Sequence, residues 1–82
     1  MKKIGVVGDL DSILGFKALG IEVFPATGAE VSKEIFRLAT EGYAIIFVTE
    51  QAAEAAAETI DRYKTEPFPA IIPIPGTLGT TG

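Results

Sequence analysis

The chain has 82 residues, with 7 Lys and Arg against 11 Asp and Glu, a net charge of −4, and neither cysteine nor histidine. This length allows one domain, and a hydrophobic content of 48% gives that domain an apolar core. The composition excludes disulfides, thiolate catalysis, zinc sites of the usual kind and imidazole general-base chemistry, and the acidic balance argues against nucleic-acid binding.

The first predicted strand is the short apolar run at residues 4–8. This run ends at Asp9, too soon for a signal peptide, and no later stretch reaches the length of a membrane span. We therefore expect a cytoplasmic protein. Residues 9–12 offer N-caps for a first helix, and Gly20 is suited to end it.

The second strand and second helix follow directly. Residues 21–24 alternate in polarity as a short strand does, and Pro25 ends them. Thr27 and Glu30 have the spacing of a capping box, which predicts that the Thr27 hydroxyl accepts from the Glu30 amide at the start of a helix. Gly42 is suited to end that helix.

The second half of the chain contains the most apolar strand. Residues 43–49 show no alternation and predict a central strand with Phe47 in the core. Residues 50–64 are Ala-rich and predict a single third helix. A fourth strand begins at residue 70, and its prolines favour a sheet edge. Residues 76–82 are almost entirely Gly and Thr, which is typical of a flexible tail.

The alternation of strands and helices defines the expected fold class. It predicts an α/β protein with a four-stranded parallel sheet and right-handed crossovers. Placing the two most apolar strands at the centre gives the order 2-1-3-4, as in a short flavodoxin-like or receiver-like domain with helices on both faces. We expect residues 1–75 to form this globular domain and residues 76–82 to form the tail.

Asp9 and Asp11 are the residues that most resemble a catalytic or metal site. They follow the first strand, where a receiver domain holds Mg²⁺, but such a site also needs an acceptor Asp where Thr49 and Glu50 stand, and a later Lys. An aspartyl-phosphatase interpretation needs a downstream Lys, a terminal acidic cluster and a longer chain. The favoured interpretation is that both acids lie at a helix N-terminus as caps. A degenerate receiver-like domain that binds Mg²⁺ or a small ligand at these residues stays the alternative.

The remaining motifs predict no catalysis. The glycines of residues 5–8 lack the dinucleotide fingerprint, and the Gly-rich tail lacks the Lys and the following helix of a phosphate loop. No set of nucleophile, base and oxyanion donors is recognisable. We therefore expect no catalytic, cofactor-binding or metal-binding residues, and a binding or structural role by elimination.

Three segments together resemble a known family. Residues 8–16 resemble the opening motif of the F subunit of the prokaryotic V-type (A-type) ATPases and ATP synthases. Residues 45–50 resemble the third strand and Thr-Glu turn of that subunit, and residues 71–75 resemble its proline-flanked fourth strand. The resemblance spans nearly the whole chain in the right order.

The resemblance implies a function without catalysis. In that family the F subunit is a small α/β protein of the central rotor stalk that binds the coiled-coil D subunit and neighbouring central-stalk subunits. It couples ATP hydrolysis or synthesis to ion translocation. It implies a cytoplasmic location, peripheral to the membrane, and a C-terminal helical segment beyond the tail. The isolated 82-residue chain is then expected to be a monomer that binds the coiled-coil partner weakly. The expected partner-binding residues are Ile74, Pro75 and Leu78.

Overall fold

Four parallel strands organise the chain in the computed structural model, which describes residues 3–75. The strands are β1 (Lys3–Gly8), β2 (Glu22–Pro25), β3 (Tyr43–Thr49) and β4 (Ala70–Ile74), and the helices are α1 (Leu10–Lys17), α2 (Ala29–Thr40), α3 (Glu50–Ala55) and α4 (Ala57–Tyr63). The sheet order is β2-β1-β3-β4, and each neighbouring pair is parallel. The predicted fold class and strand order are confirmed. The predicted tail, residues 76–82, lies outside the described residues.

Helices cover both faces of the sheet, but they cover them unequally. The α2, α3 and α4 side contains the main core, whose fully buried members include Val7, Ile35 and Ile46. The other face is covered by α1, which packs against β1 and β2. There Ile13 is buried, and the Phe16 ring stacks on Phe47 with centroids 6.4 Å apart. Because α1 connects β1 to β2 and packs mainly on those strands, the β3 and β4 half of this face is left partly open.

The burial of Phe47 differs from the prediction. Its neighbours Ile46 and Val48 are fully buried on the α2 side, whereas Phe47 and Ile45 are half-buried on the α1 side. The apolar run of β3 does not alternate, so it gives no sign that one face is less covered than the other. The physical reason is the position of α1, which packs over β1 and β2 and leaves β3 incompletely covered.

The capping box predicted for α2 is wrong. The N-cap of α2 is Gly28, with φ of 57° and no side-chain cap hydrogen bond. The Glu30 amide donates to the backbone carbonyl of Thr27 over 3.1 Å, and the Glu30 carboxylate lies 3.8 Å from the Lys33 ammonium. Positive φ at Gly28 turns the chain at the residue after Thr27, so the Thr27 side chain lies outside the helix start.

The predicted third helix is divided at one residue. Ala56 has φ of −117° and ψ of 28°, and it separates α3 from α4. It is only 2% exposed and belongs to the core. The local sequence contains neither glycine nor proline, so it carries none of the usual signals of a helix break. None of the helices within residues 3–75 is long and apolar enough to cross a membrane.

Candidate functional site

The carboxyl ends of the strands meet at one edge of the sheet, where doubly wound α/β proteins bind ligands between the two central strands. Here that point lies between the ends of β1 and β3, at Gly8 and Thr49. Thr49 is fully buried, and a Cβ added to Gly8 would lie 2.5 Å from the Thr49 Cγ2. The Thr49 hydroxyl accepts from the Ala52 amide over 3.3 Å and caps α3. The Thr49 side chain therefore closes the space directly between the ends of β1 and β3.

Asp9 caps a helix. It is the N-cap of α1, and its carboxylate accepts from the Ser12 amide over 3.2 Å and from the Ser12 hydroxyl over 2.9 Å. Asp11 is exposed in the first turn of the same helix, where a negative charge faces the positive end of the helix dipole. The predicted capping role is confirmed for Asp9, whereas Asp11 is a first-turn residue and not a cap.

A small cavity of about 170 Å³ lies beside Asp9 at this edge. Thr27, Gly28 and Gln51 contribute to its wall. Within residues 3–75 no three acidic residues come together as a group that could hold a metal ion. The hypothesis of a Mg²⁺ site at Asp9 and Asp11 therefore gains no support from the neighbouring side chains.

The opposite edge of the sheet holds a structural network. Tyr43 donates a hydrogen bond to the Glu22 carboxylate, and its ring meets Phe24 edge-on with centroids 5.7 Å apart. Burial, followed by the hydrogen bond to Glu22, raises the pKa of Tyr43 to about 12. The phenol therefore stays protonated near neutral pH, and the contact ties β3 to β2 across β1.

The open half of the α1 side is an apolar surface. Ile4 pairs in register with Ile45, and Phe47 pairs with Ile72, so these side chains share one face with Ile74. We call Ile4, Ile45, Phe47, Ile72 and Ile74 the apolar face. Ile4 is 39% exposed and Ile72 is 41% exposed, and the other members are half-buried. Adjacent exposed aliphatic side chains of this kind are typical of a binding surface.

Of the three predicted partner-binding residues, the structure describes two. Ile74 is half-buried and belongs to the apolar face, and Pro75 is exposed just beyond β4. Leu78 lies outside the described residues. Sequence reasoning missed Ile4 and Ile72. The alternation of β4 was hidden because isoleucines occupy both of its faces. The signal that could have found Ile72 is that α1 connects β1 to β2 and so covers those strands rather than β4.

The capping geometry leads to a prediction for Asp9. Asp9→Ala should lower the free energy of unfolding by about 1 kcal/mol, whereas Asp9→Asn should change it little because asparagine caps as well as aspartate. Thermal denaturation of both variants is the measurement, with Asp11→Asn as the control for loss of charge in the same turn. Equal losses for the Asn and Ala variants would show that the Asp9 charge, and not the cap, stabilises α1.

These observations define a small doubly wound α/β protein that presents an apolar sheet face and in which Thr49 closes the space between the ends of the two central strands. Residues 4–82 match the family described as ATP synthase (F/14-kDa) subunit. The chain is 58% identical over 80 residues to the F subunit of the V-type ATP synthase of Clostridium perfringens, a match that covers 96% of this chain and 76% of the relative. The F subunit of the V-type ATP synthase of Clostridium botulinum is 56% identical, covering 96% of this chain and 78% of that relative.

A relative from an A-type ATP synthase extends the comparison. The F subunit of the A-type ATP synthase of Methanothermobacter thermautotrophicus is 34% identical over 79 residues, a match that covers 93% of this chain and 74% of the relative. The chain therefore belongs to the family of F subunits of the V-type and A-type ATP synthases. The resemblance that the sequence motifs indicated is confirmed.

Proposed function

We propose that this chain is a non-catalytic component of the central rotor stalk of a V-type or A-type rotary ATPase, and that it binds the coiled-coil D subunit. In this role it couples ATP hydrolysis or synthesis to ion translocation, and it works on the cytoplasmic side, peripheral to the membrane. Membership of the family of F subunits supports the assignment to the complex. The single observation that supports binding by this domain is the apolar face.

The apolar face fits a helical partner better than a small ligand. Its side chains come from three adjacent strands, β1, β3 and β4, so together they form a broad surface. Burying one aliphatic side chain fully stabilises a complex by roughly 1.5–3 kcal/mol, and Ile72 and Ile4 still have much of their surface to bury. A coiled coil can cover such a surface along its length.

The edge strand favours side-chain contacts over strand addition. β4 lies at the edge of the sheet and contains Pro73, which has no amide hydrogen to donate. The row of backbone N–H donors with which a partner strand would pair is therefore interrupted at Pro73. Ile74 and Pro75 continue the surface where the chain leaves β4, and Leu78 stays a prediction.

The test is calorimetry with the coiled-coil partner encoded in the same genome. Ile72→Glu should weaken binding at least about tenfold, roughly 1.4 kcal/mol, because it places a charge in an apolar contact. Leu19→Glu is the matched control, since Leu19 is 72% exposed just after α1 and does not belong to the apolar face. Melting temperatures should show that both variants remain folded.

Two results would contradict the proposal. If the unmodified chain does not bind the coiled-coil partner, the assignment to the stalk loses its support. If Ile72→Glu and Leu19→Glu bind equally well, the coiled coil contacts a different surface and the apolar face has another role.

A further inference from the structure

A second surface lies on the opposite side of the sheet, between α2 and α4. A groove of about 740 Å³ runs between these helices and is bounded at one end by the turn before β4. We call it the α2–α4 groove. Its walls include Lys33 and Phe36 on α2, Arg62 and Tyr63 on α4, and Phe68 in the turn. The groove is separated from the apolar face by the sheet itself.

Aromatic side chains are unusually exposed in this groove. Phe36 is 64% exposed and Phe68 is 56% exposed, whereas Phe16, Phe24 and Phe47 are half-buried. Tyr63 is half-buried and adds a third ring to the wall. Aromatic residues and arginine are enriched in protein interfaces and dominate their binding energy. The groove therefore has the composition of an interface.

The charge of the groove differs from that of the whole protein. The chain has a net charge of −4, yet the groove is lined by two cations, Lys33 and Arg62, and one acid, Glu66. Arg37, on α2, is engaged by Glu34 and Glu41. Within residues 3–75 Arg62 forms no such ion pair, and Lys33 has only a loose, exposed contact with Glu30 at 3.8 Å. Two cations are thus available to an acidic partner.

A hydrogen bond also joins the two helices that form the groove. The Thr59 hydroxyl on α4 donates to the Ser32 hydroxyl on α2 over 2.9 Å, and this contact joins the two helices between the walls. The residues of α4 that line the groove are spaced i, i+3 and i+4, so they form one continuous helical face. A groove that runs along two helices suits an elongated apolar ligand, such as the apolar stripe of a third helix.

We propose that the α2–α4 groove is a docking site for an amphipathic helix of a protein partner that carries carboxylates beside its apolar stripe. The apolar stripe contacts Phe36, Tyr63 and Phe68, and the carboxylates pair with Lys33 and Arg62. This site does not depend on the proposed binding of the coiled coil, because the two surfaces lie on opposite sides of the sheet. Both partners can bind at once.

The experiment uses two designed peptides and the full 82-residue chain. Each peptide has about 18 residues, enough to form a helix in water, with one Leu stripe flanked by Glu in the first peptide and by Lys in the second. Amide chemical shifts report the site, and the titration reports the affinity. We expect saturable shifts at Lys33, Phe36 and Arg62, and at least about tenfold tighter binding of the Glu peptide.

Variants of the groove residues distinguish the contribution of charge to peptide binding from that of apolar contact. The double variant Lys33→Glu and Arg62→Glu should reverse the preference toward the Lys peptide, whereas Phe36→Ala should weaken both peptides. All of these side chains are exposed, so folding is preserved. Lys17→Glu, at the end of α1 on the other side of the sheet, is the matched control and should leave the preference unchanged.

The outcomes that overturn the proposal are distinct. The absence of saturable shifts, or shifts confined to α1 and β4, would show that the groove is not the docking site. Equal binding of the two peptides would show that charge has no part in it. Shifts at the groove that depend on protein concentration without peptide would assign the groove to a second copy of this chain.

Discussion

Ile46→Ala is expected to lower the free energy of unfolding by about 2–5 kcal/mol, as deletion of a buried isoleucine side chain does. Ile46 is fully buried in β3 against α2, and the surrounding helices cannot close the cavity completely. A domain of this size is stable by about 5–10 kcal/mol in total. The variant should therefore unfold at a much lower denaturant concentration, which chemical denaturation measures directly.

Phe47→Ala is the matched comparison at the next position. Phe47 has a larger side chain, but it is half-buried on the open side of the sheet, and its closest aromatic partner is Phe16. We expect it to destabilise the protein less than Ile46→Ala, although residue type alone would predict the reverse. A greater loss for Phe47→Ala would show that the apolar face is covered in solution.

The fold could be predicted because its signals are local. The spacing of apolar runs, the glycines that end α1 and α2, and the alternation of strands with helices each agree with one topology. Gly20 and Gly42 have φ of 84° and 91°, as the predicted helix ends require. Asp9 caps α1 because its side chain needs only the amide three residues later.

The features that were missed depend on contacts between distant parts of the chain. Whether Phe47 or Ile46 is more buried depends on how far α1 extends across the sheet, which the sequence of β3 does not encode. Ala56, at the break between α3 and α4, belongs to the buried core, most of whose other members come from distant parts of the chain. The α2–α4 groove is built from α2, α4 and the turn before β4, which are separated in sequence by other elements.

The close contact between Gly8 and Thr49 leads to the second prediction of a large loss of stability. A Cβ at residue 8 would lie 2.5 Å from the Thr49 Cγ2 and 2.8 Å from its Oγ1, closer than real Cβ atoms approach. Thr49 is fully buried and both residues lie in central strands, so relief requires the Thr49 side chain or the two strands to shift. We expect Gly8→Ala to destabilise the protein by about 1–3 kcal/mol, as overpacking of a core does, with denaturant unfolding as the measurement.

Two further variants identify the cause of that loss. Gly15→Ala is the matched control, because Gly15 lies inside α1 with no atom within 4 Å of an added Cβ, and alanine there should stabilise the helix by about 0.5–1 kcal/mol. Thr49→Ser removes the Cγ2 but keeps the hydroxyl that caps α3. Combined with Gly8→Ala it should recover part of the loss, which a double-mutant cycle measures. Purely additive effects would mean that the Gly8→Ala loss does not arise from the Thr49 methyl group, and that the end of the sheet is less tightly closed than its geometry indicates.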